Sequence, residues 1–394
     1  MDPREDVAYI SPVLSILRAA CSVVLVGTLT GACSPEAAPT TARLSSGADH
    51  TCLVSEGGVW CWGWNMFGQL GSTRSPTELP ESHAALPVMD ATGALSDVVG
   101  VTAGAVHSCA HDGDGLVWCW GDNLTGALGT DSDAFFDPTA SVPLALGRTV
   151  QVAGGGAHTC ALLAGGDAAC WGNNFFGQLG TGSESNSFVP LPVAADGAQF
   201  VAITAGQSHT CALDATGQAS CWGDNGSGQL GDGTVEWRNA PRPVLTDLVF
   251  AQLDLGLAHS CAVTVAGEVY CWGSNEFGQL ASEGESQRQP TLVPALPAIS
   301  LVRAGLRHTC ALSNAGAVFC WGNNASQQVA SNDAAIVATP QRVELAAAAM
   351  ELAPGGTHTC AMMTDEQVYC WGDGSRGQLG RGIETSASPV LVNR

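Results

Sequence analysis

The chain has 394 residues, with 36 acidic and 14 basic side chains and a formal net charge of −22. So acidic a surface repels phosphate backbones, which argues against nucleic-acid binding. An apolar content of 45% with 49 glycines excludes a disordered chain and suits a packed, turn-rich β protein.

At the N-terminal end, Arg18 precedes an apolar run from Ala19 to Thr30. Its length suits a signal peptide and is short for a transmembrane helix. Leu29-Thr30-Gly31-Ala32-Cys33 resembles a bacterial lipobox, with a small residue before the Cys, and departs from it at Thr30, where Leu is usual. The expectation is a leader over 1–33 with Cys33 lipidated, and ordinary secretion with cleavage nearby is the alternative. The acidic stretch from Asp2 to Asp6 is foreign to a signal n-region and points to a translation start further along. Residues 34–43, with Pro35 and Pro39, read as a short tether.

From residue 44 onward one phrase recurs seven times, on His50, His107, His158, His209, His259, His308 and His358. Successive spacings are 57, 51, 51, 50, 49 and 50, a period that fits a propeller blade and is too long for helical hairpins. Each copy runs Gly, two variable residues, His, Ser or Thr, Cys, a turn, Cys-Trp-Gly, then a loop near Gly-Gln-Leu-Gly. Short apolar runs such as Cys310-Ala311-Leu312 and Val318-Phe319-Cys320 flank a turn at Ser313 to Gly316 and predict a hairpin. No segment after residue 40 shows a long, capped helical period.

If Cys310 faces Cys320, Leu312 faces Val318 and the turn closes between them. The same register predicts one disulfide per copy: Cys52 with Cys61, Cys109 with Cys119, Cys160 with Cys170, Cys211 with Cys221, Cys261 with Cys271, Cys310 with Cys320, and Cys360 with Cys370. The spacing is not that of a zinc site. Disulfides at this density imply an oxidising compartment. Proline–valine-type segments, from Pro87-Val88 to Pro340 to Val343, read as the first strand of each following copy. The first copy lacks one, and Pro389 to Val392 follows the last. The expectation is that this C-terminal strand pairs into blade one and closes the ring.

The pattern Gly-x-x-His-Thr-Cys-Ala-Leu, then Val-Tyr-Cys-Trp-Gly-x-Asn-x-x-Gly-Gln-Leu-Gly, resembles the regulator-of-chromosome-condensation repeat over about residues 44 to 394. The resemblance implies an all-β, seven-bladed β-propeller with four-stranded blades. The cysteine pair departs from intracellular members, which usually carry other residues there. The sixth copy decays to Gln327-Gln328-Val329-Ala330, so an irregular outer loop is expected.

The seven histidines lie one per blade and cannot converge on one metal, so a structural role bonding backbone between blades is expected. The seven tryptophans read as blade packing. No nucleophile–base–acid set and no Gly-x-Ser-x-Gly elbow is present, so neither an enzyme nor a cofactor is expected. His83 and His111 carry no motif. Asp131, Asp133 and Asp137 lack EF-hand spacing and read as a solvated loop rather than a calcium site. Binding residues are sought where the repeat varies, on loops of a rigid scaffold. Trp64, Met66, Phe67, Phe175, Phe176, Trp237 and Phe277 are the candidates, with Phe67, Phe176 and Phe277 expected to plug the blades and Trp64, Phe175 and Trp237 to be exposed.

The function expected is a non-enzymatic, extracytoplasmic propeller that presents this face to a protein partner, with membrane contact only through a lipid anchor. A lectin-like propeller stacking glycans on its aromatics is the second reading. Guanine-nucleotide exchange is implied by the family resemblance alone.

Overall fold

The computed structural model describes residues 42–393, apart from 144, 145, 283, 330–333 and 383. Cys21, Cys33, the apolar run and tether residues 34–41 lie outside the described residues. Within them, 28 strands form seven four-stranded sheets, each an antiparallel meander. The first blade comprises Leu44–Ser46, His50–Ser55, Gly58–Trp64 and Glu81–Pro87. The seventh comprises Ala349–Pro354, His358–Met363, Val368–Asp373 and Thr385–Leu391. The first strands of successive blades touch one another around the ring and form its inner wall.

The hairpin register follows from the cysteines. Second and third strands align cysteine opposite cysteine in all seven blades. The paired Cα atoms lie 4.1–4.2 Å apart, the close approach of a non-hydrogen-bonded pair, and each pair is a disulfide. The glycine of Cys-Trp-Gly ends the hairpin. In every blade the pairing to the fourth strand shifts register there. Gly63 takes φ 105°, and a Cβ on it would stand 2.5 Å from the Asp49 carbonyl oxygen.

Blades bury both faces against their neighbours. The seam between the fourth and fifth packs Leu213, Leu230 and Val244 against Phe250, Leu253 and Trp272. Stacking of this kind makes a single blade unstable alone.

The C-terminal strand does not pair into blade one. Thr385–Leu391 hydrogen-bonds Val368–Asp373 of its own blade. Pro87, Pro192 and Pro243 end the fourth strands of the blades that precede them, and Leu44–Ser46 already fills the first place in blade one. Closure instead repeats the contacts of the other seams. Val392 packs with Leu44, Leu53 and Trp62, as Val244 does with Leu253 and Trp272. The Asn393 carbonyl accepts from the Ala85 N–H at 3.2 Å, as the Met89 carbonyl does from Ala140 at 2.9 Å.

The decayed sixth loop keeps its geometry as far as it is described. Gln327 adopts φ 62°, the conformation glycine takes in other blades, and the Val329 N–H still donates to Asn324 Oδ1 at 3.0 Å. The regular surroundings hold a non-glycine residue in a left-handed conformation.

Candidate functional site: the loop face of the ring

The repeated polar residues are consumed at the seams. Each frame histidine is fully buried, and its Nε2 lies 2.8–3.1 Å from a Ser or Thr hydroxyl of the next blade. Six of these hydroxyls donate to a backbone carbonyl in the loop of the histidine's own blade, at 2.7–3.2 Å. The indole N–H of the next blade's Trp donates to that same carbonyl at these six seams, and Trp62 donates to the equivalent Gln378 carbonyl at the seventh. The histidines therefore bond a hydroxyl, and the hydroxyl bonds the backbone, rather than the histidines bonding backbone directly.

This chain of bonds sets the tautomer. A hydroxyl that donates its hydrogen to a carbonyl must accept from Nε2–H. Nδ1 is then an acceptor, and it has no partner in any of the seven. It rests against the glycine three residues earlier. A Cβ on Gly155 would stand 2.2 Å from His158 Cε1 and 2.6 Å from the Gly206 carbonyl oxygen. With no acceptor for a second proton, burial holds these imidazoles neutral. His50, His158, His209, His259 and His308 are pushed down to about 3, and His107 and His358 to about 4.

The inner wall is sewn together in the same way. Gln151 Oε1 accepts from the Ile203 N–H, Gln252 Oε1 from Val302, and Asp254 Oδ2 from Ala304, each in the next blade. Glu351 Oε2 takes the N–H groups of Arg43 and Leu44. Desolvation raises the Asp254 and Glu351 carboxyls, against the pull of Arg303.

Each frame His pairs with the Gly of Cys-Trp-Gly, as His158 does with Gly172. The loop before the His and the loop after the Gly therefore emerge at one end of every blade, and these ends make one face. A buried asparagine braces the second loop. Asn174 Oδ1 accepts from the Leu179 N–H, while its Nδ2 donates to the carbonyls of Ser183 and Ser185. Asn65, Asn123, Asn225, Asn275 and Asn324 accept the corresponding N–H in their blades. The next residue is exposed in each of these loops, among them Met66, Leu124, Phe175, Glu276 and Ala325. The one after it leans across the seam. Thr125 donates to the Ala157 carbonyl at 3.2 Å, Phe277 lies 4.7 Å under Arg307, and Arg376 reaches Asp49 at 2.7 Å. Ala157, Arg307 and Asp49 each immediately precede a frame histidine.

The candidate residues fall into three groups rather than one site. Phe175, 69% exposed, stacks edge-on against Phe176, whose ring meets Trp237 across the seam at 6.3 Å. Trp64, Met66 and Phe67 lie on blade one, and Phe277 stands apart on blade five. Trp64 is half-buried, a correction to its expected exposure, because the Arg376 guanidinium covers its ring at 4.6 Å and Phe67 abuts its edge. Phe67, Phe176 and Phe277 are also half-buried; Phe176 and Phe277 lean over a seam.

Asp137 Oδ1 is occupied by the N–H and hydroxyl of Thr139, and the Asp131 N–H donates to the Phe188 carbonyl. Among the described residues, no three His, Cys, Asp or Glu side chains converge as metal ligands. Sequence reasoning missed Phe135, Phe136 and Phe188, which stand exposed on the same face where fourth strands begin. The adjacent pair Phe135-Phe136 in an acidic loop was the available signal.

Fold and face together define a seven-bladed propeller with a braced, variable loop face. The chain belongs to the RCC1-like family: the RCC1-like domain matches residues 140–394, and RCC1 repeats match 56–111 and 114–162, with a second RCC1 repeat model at 42–69. It is 34% identical over 206 residues to the ultraviolet-B receptor UVR8 of Arabidopsis thaliana, covering 51% of this chain and 45% of that protein. It is 38% identical over 155 residues to the probable E3 ubiquitin-protein ligase HERC4 of Homo sapiens, covering 38% of this chain and 15% of that one. The match therefore spans less than half the length of either relative. Among solved structures, yeast RCC1 (Prp20), crystallised bound to Kap60, superposes with TM-score 0.77 at 20% identity, covering 95% of this chain and 91% of that one. Human WBSCR16 gives TM-score 0.75 at 21% identity, covering 86% and 94%. These two likenesses concern the fold.

Proposed function

We propose that this chain is a non-enzymatic interaction propeller working outside the cytoplasm, whose loop face receives a protein partner. The observation that carries the reading is a division of labour. The repeated His, Ser or Thr, Trp and Asn side chains spend their polar atoms on neighbouring blades or on their own loops. Of the positions that vary, the one after each bracing asparagine is left exposed on the face, and most of the others are half-buried at its seams. A rigid scaffold with variable loops is the usual platform for recognition. The solved yeast relatives, described with Kap60 and with Gsp1p and histones, support a protein-binding role at the level of the fold.

Seven buried disulfides support a compartment that keeps thiols oxidised. The apolar run before Cys33 supports a leader and a lipid anchor. The test is envelope crosslinking with mass spectrometry on cells expressing the full chain, with thiols blocked at lysis. The expected result is saturable adducts on the loop face, blocked frame cysteines absent, and a Cys33→Ser chain released from the membrane fraction. Fourteen blockable frame thiols with cytoplasmic fractionation would sink the compartment. A loop face free of saturable adducts would sink the interaction role.

A further inference from the structure

The exposed apolar side chains of the loop face are not spread evenly round the ring. Six of them, Leu124, Phe135, Phe136, Phe175, Phe188 and Trp237, sit on the second, third and fourth blades, at 36–72% exposure. The corresponding first variable positions of the fifth to seventh blades are Glu276, Ala325 and Ser375, and outside the three blades Met66 on the first and Ile336 on the sixth stand exposed as single apolar residues.

The six follow the ring as an arc from the second blade to the fourth, tied together at each seam. The Asn123 N–H donates to the Phe135 carbonyl at 2.8 Å, which joins the Leu124 loop to the phenylalanine pair. The Asp131 N–H donates to the Phe188 carbonyl at 3.0 Å, crossing from the second blade to the third. A Cβ on Gly126 would lie 2.7 Å from Phe188 Cα, so the same loop rests directly on that strand. Phe176 then bridges Phe175 to Trp237, with centroids 4.9 and 6.3 Å away. Contiguous exposed apolar surface of this kind marks an interaction site.

Over the second and third blades the charge around the arc is acidic, and arginines appear only at its fourth-blade end, where Arg288 of the fifth blade also lies exposed against the Gly228 loop. Asp131, Asp133, Glu184 and Glu236 are exposed in the loops that carry the apolar residues. The chain contains no lysine, and Arg148 is the only basic residue between 75 and 237. Its guanidinium donates to the Gly113 carbonyl in the turn at the opposite end of the blade. At the far edge Arg238 is held by Asp232 at 3.1 Å, and Arg242 lines a groove together with Trp237 and Glu184.

We infer that this crescent docks a cationic amphipathic segment of the partner, apolar side chains on the aromatic arc and Lys or Arg against the acidic rim. The inference rests on the interaction reading above and adds the partner's chemistry and seat. Apolar centre and oppositely charged rim are the complementarity that fixes position and speeds encounter. A second copy of this chain is a poor occupant, since each copy carries −22.

The probe is an 18-residue leucine–lysine amphipathic helix, titrated by fluorescence anisotropy against the full chain. Binding is expected to weaken at least tenfold on Phe135→Ser with Phe175→Ser. Replacing the four rim carboxylates by their amides should weaken it severalfold and flatten its salt dependence. Ala325→Ser with Ser375→Ala should change nothing, and a leucine–glutamate peptide should not bind. Equal binding by the crescent and control variants, binding of the acidic peptide, or self-association through the crescent would overturn the proposal. Photocrosslinkers at positions 135 and 175, against 325 and 375, separate the two readings. Saturable native adducts at 325 and 375 alone defeat the crescent and leave the interaction role standing. No adduct at any of the four defeats both.

Discussion

His358 in the last blade hydrogen-bonds Thr51 in the first, Nε2 to Oγ1 at 2.8 Å, across 307 residues of sequence. The same bond joins every other pair of neighbours at a separation of 50 to 58 residues. The ring thus closes by repeating its ordinary seam. Thr51 differs only in how it is relayed: its hydroxyl meets Ser46 Oγ at 3.0 Å, which donates on to the Ala353 carbonyl.

Thr51→Val should therefore strand a buried Nε2–H on His358. The expected loss is about 1–3 kcal/mol of unfolding free energy, the cost of an unsatisfied buried donor. Thr51→Ser should recover most of it, because Ser108 and Ser260 do the same work at other seams. Denaturant melts of the three proteins check this. A serine variant as weak as the valine variant would place the cost in packing rather than in the hydrogen bond.

The seven histidines make stability fall with acid. Their folded values of about 3 to 4 lie below the unfolded value of 6.5, so below that pH the unfolded chain binds the extra protons. Stability is complete above about pH 6.5 and is lost as pH drops toward the folded values, by about 1.4 kcal/mol per pH unit for each histidine. Seven acting together should unfold the ring while all are still neutral in the native state. Asp254 and Glu351, whose carboxyls are raised, oppose this only within the carboxylate range. Unfolding free energy measured from pH 7 to 4.5 should steepen toward an uptake of several protons. A flat profile over that range would refute buried neutral imidazoles.

The hairpins were legible because a disulfide register is local. Cys310 and Cys320 are ten residues apart, and alternation between them fixes which side chains face. The phase of the ring was not legible. A period of about 50 residues says how many strands recur and leaves open whether Pro389 to Val392 ends one blade or begins another. The answer lay in Leu44–Ser46, a three-residue strand with little pattern of its own. The partner of each histidine was hidden for a different reason. The hydroxyl follows every frame histidine in sequence, yet bonds the histidine of the preceding blade. Phe188 escaped notice because fourth strands vary in length and position, so it falls in no repeated column.

Two glycines should respond to alanine in different ways. Gly182 has φ 79°, and a Cβ there would meet nothing within 4 Å, so Gly182→Ala should cost only its backbone term, about 1–2 kcal/mol. Gly155 has no positive φ, but an added methyl would collide with the His158 ring and the Gly206 carbonyl. Both are anchored in seams and cannot retreat. Gly155→Ala should cost at or above the upper end of the usual overpacking penalty of about 1–3 kcal/mol. Thermal melts of both variants decide it, and a smaller loss at 155 than at 182 would show that the inner ring can expand.

The disulfides should resist reduction until the ring opens. All fourteen frame cysteines are fully buried, beneath strands packed on both faces. Dithiothreitol must wait for unfolding, so the reduction rate should plateau with reductant concentration and match the unfolding rate. A plateau well above the global unfolding rate would mean that blades open singly. Removing one bridge as Cys211→Ala with Cys221→Ala should cost at most about 2.5–3 kcal/mol by loop-closure entropy. The loss should fall short of that ceiling, because a ten-residue hairpin retains some pairing in the unfolded chain. Cys211→Ala alone should refold in lower yield than the double variant, since it leaves Cys221 as a free thiol able to exchange with other bridges during folding. Refolding yield under oxidising conditions separates the two, and equal yields would remove disulfide exchange as a hazard of this fold.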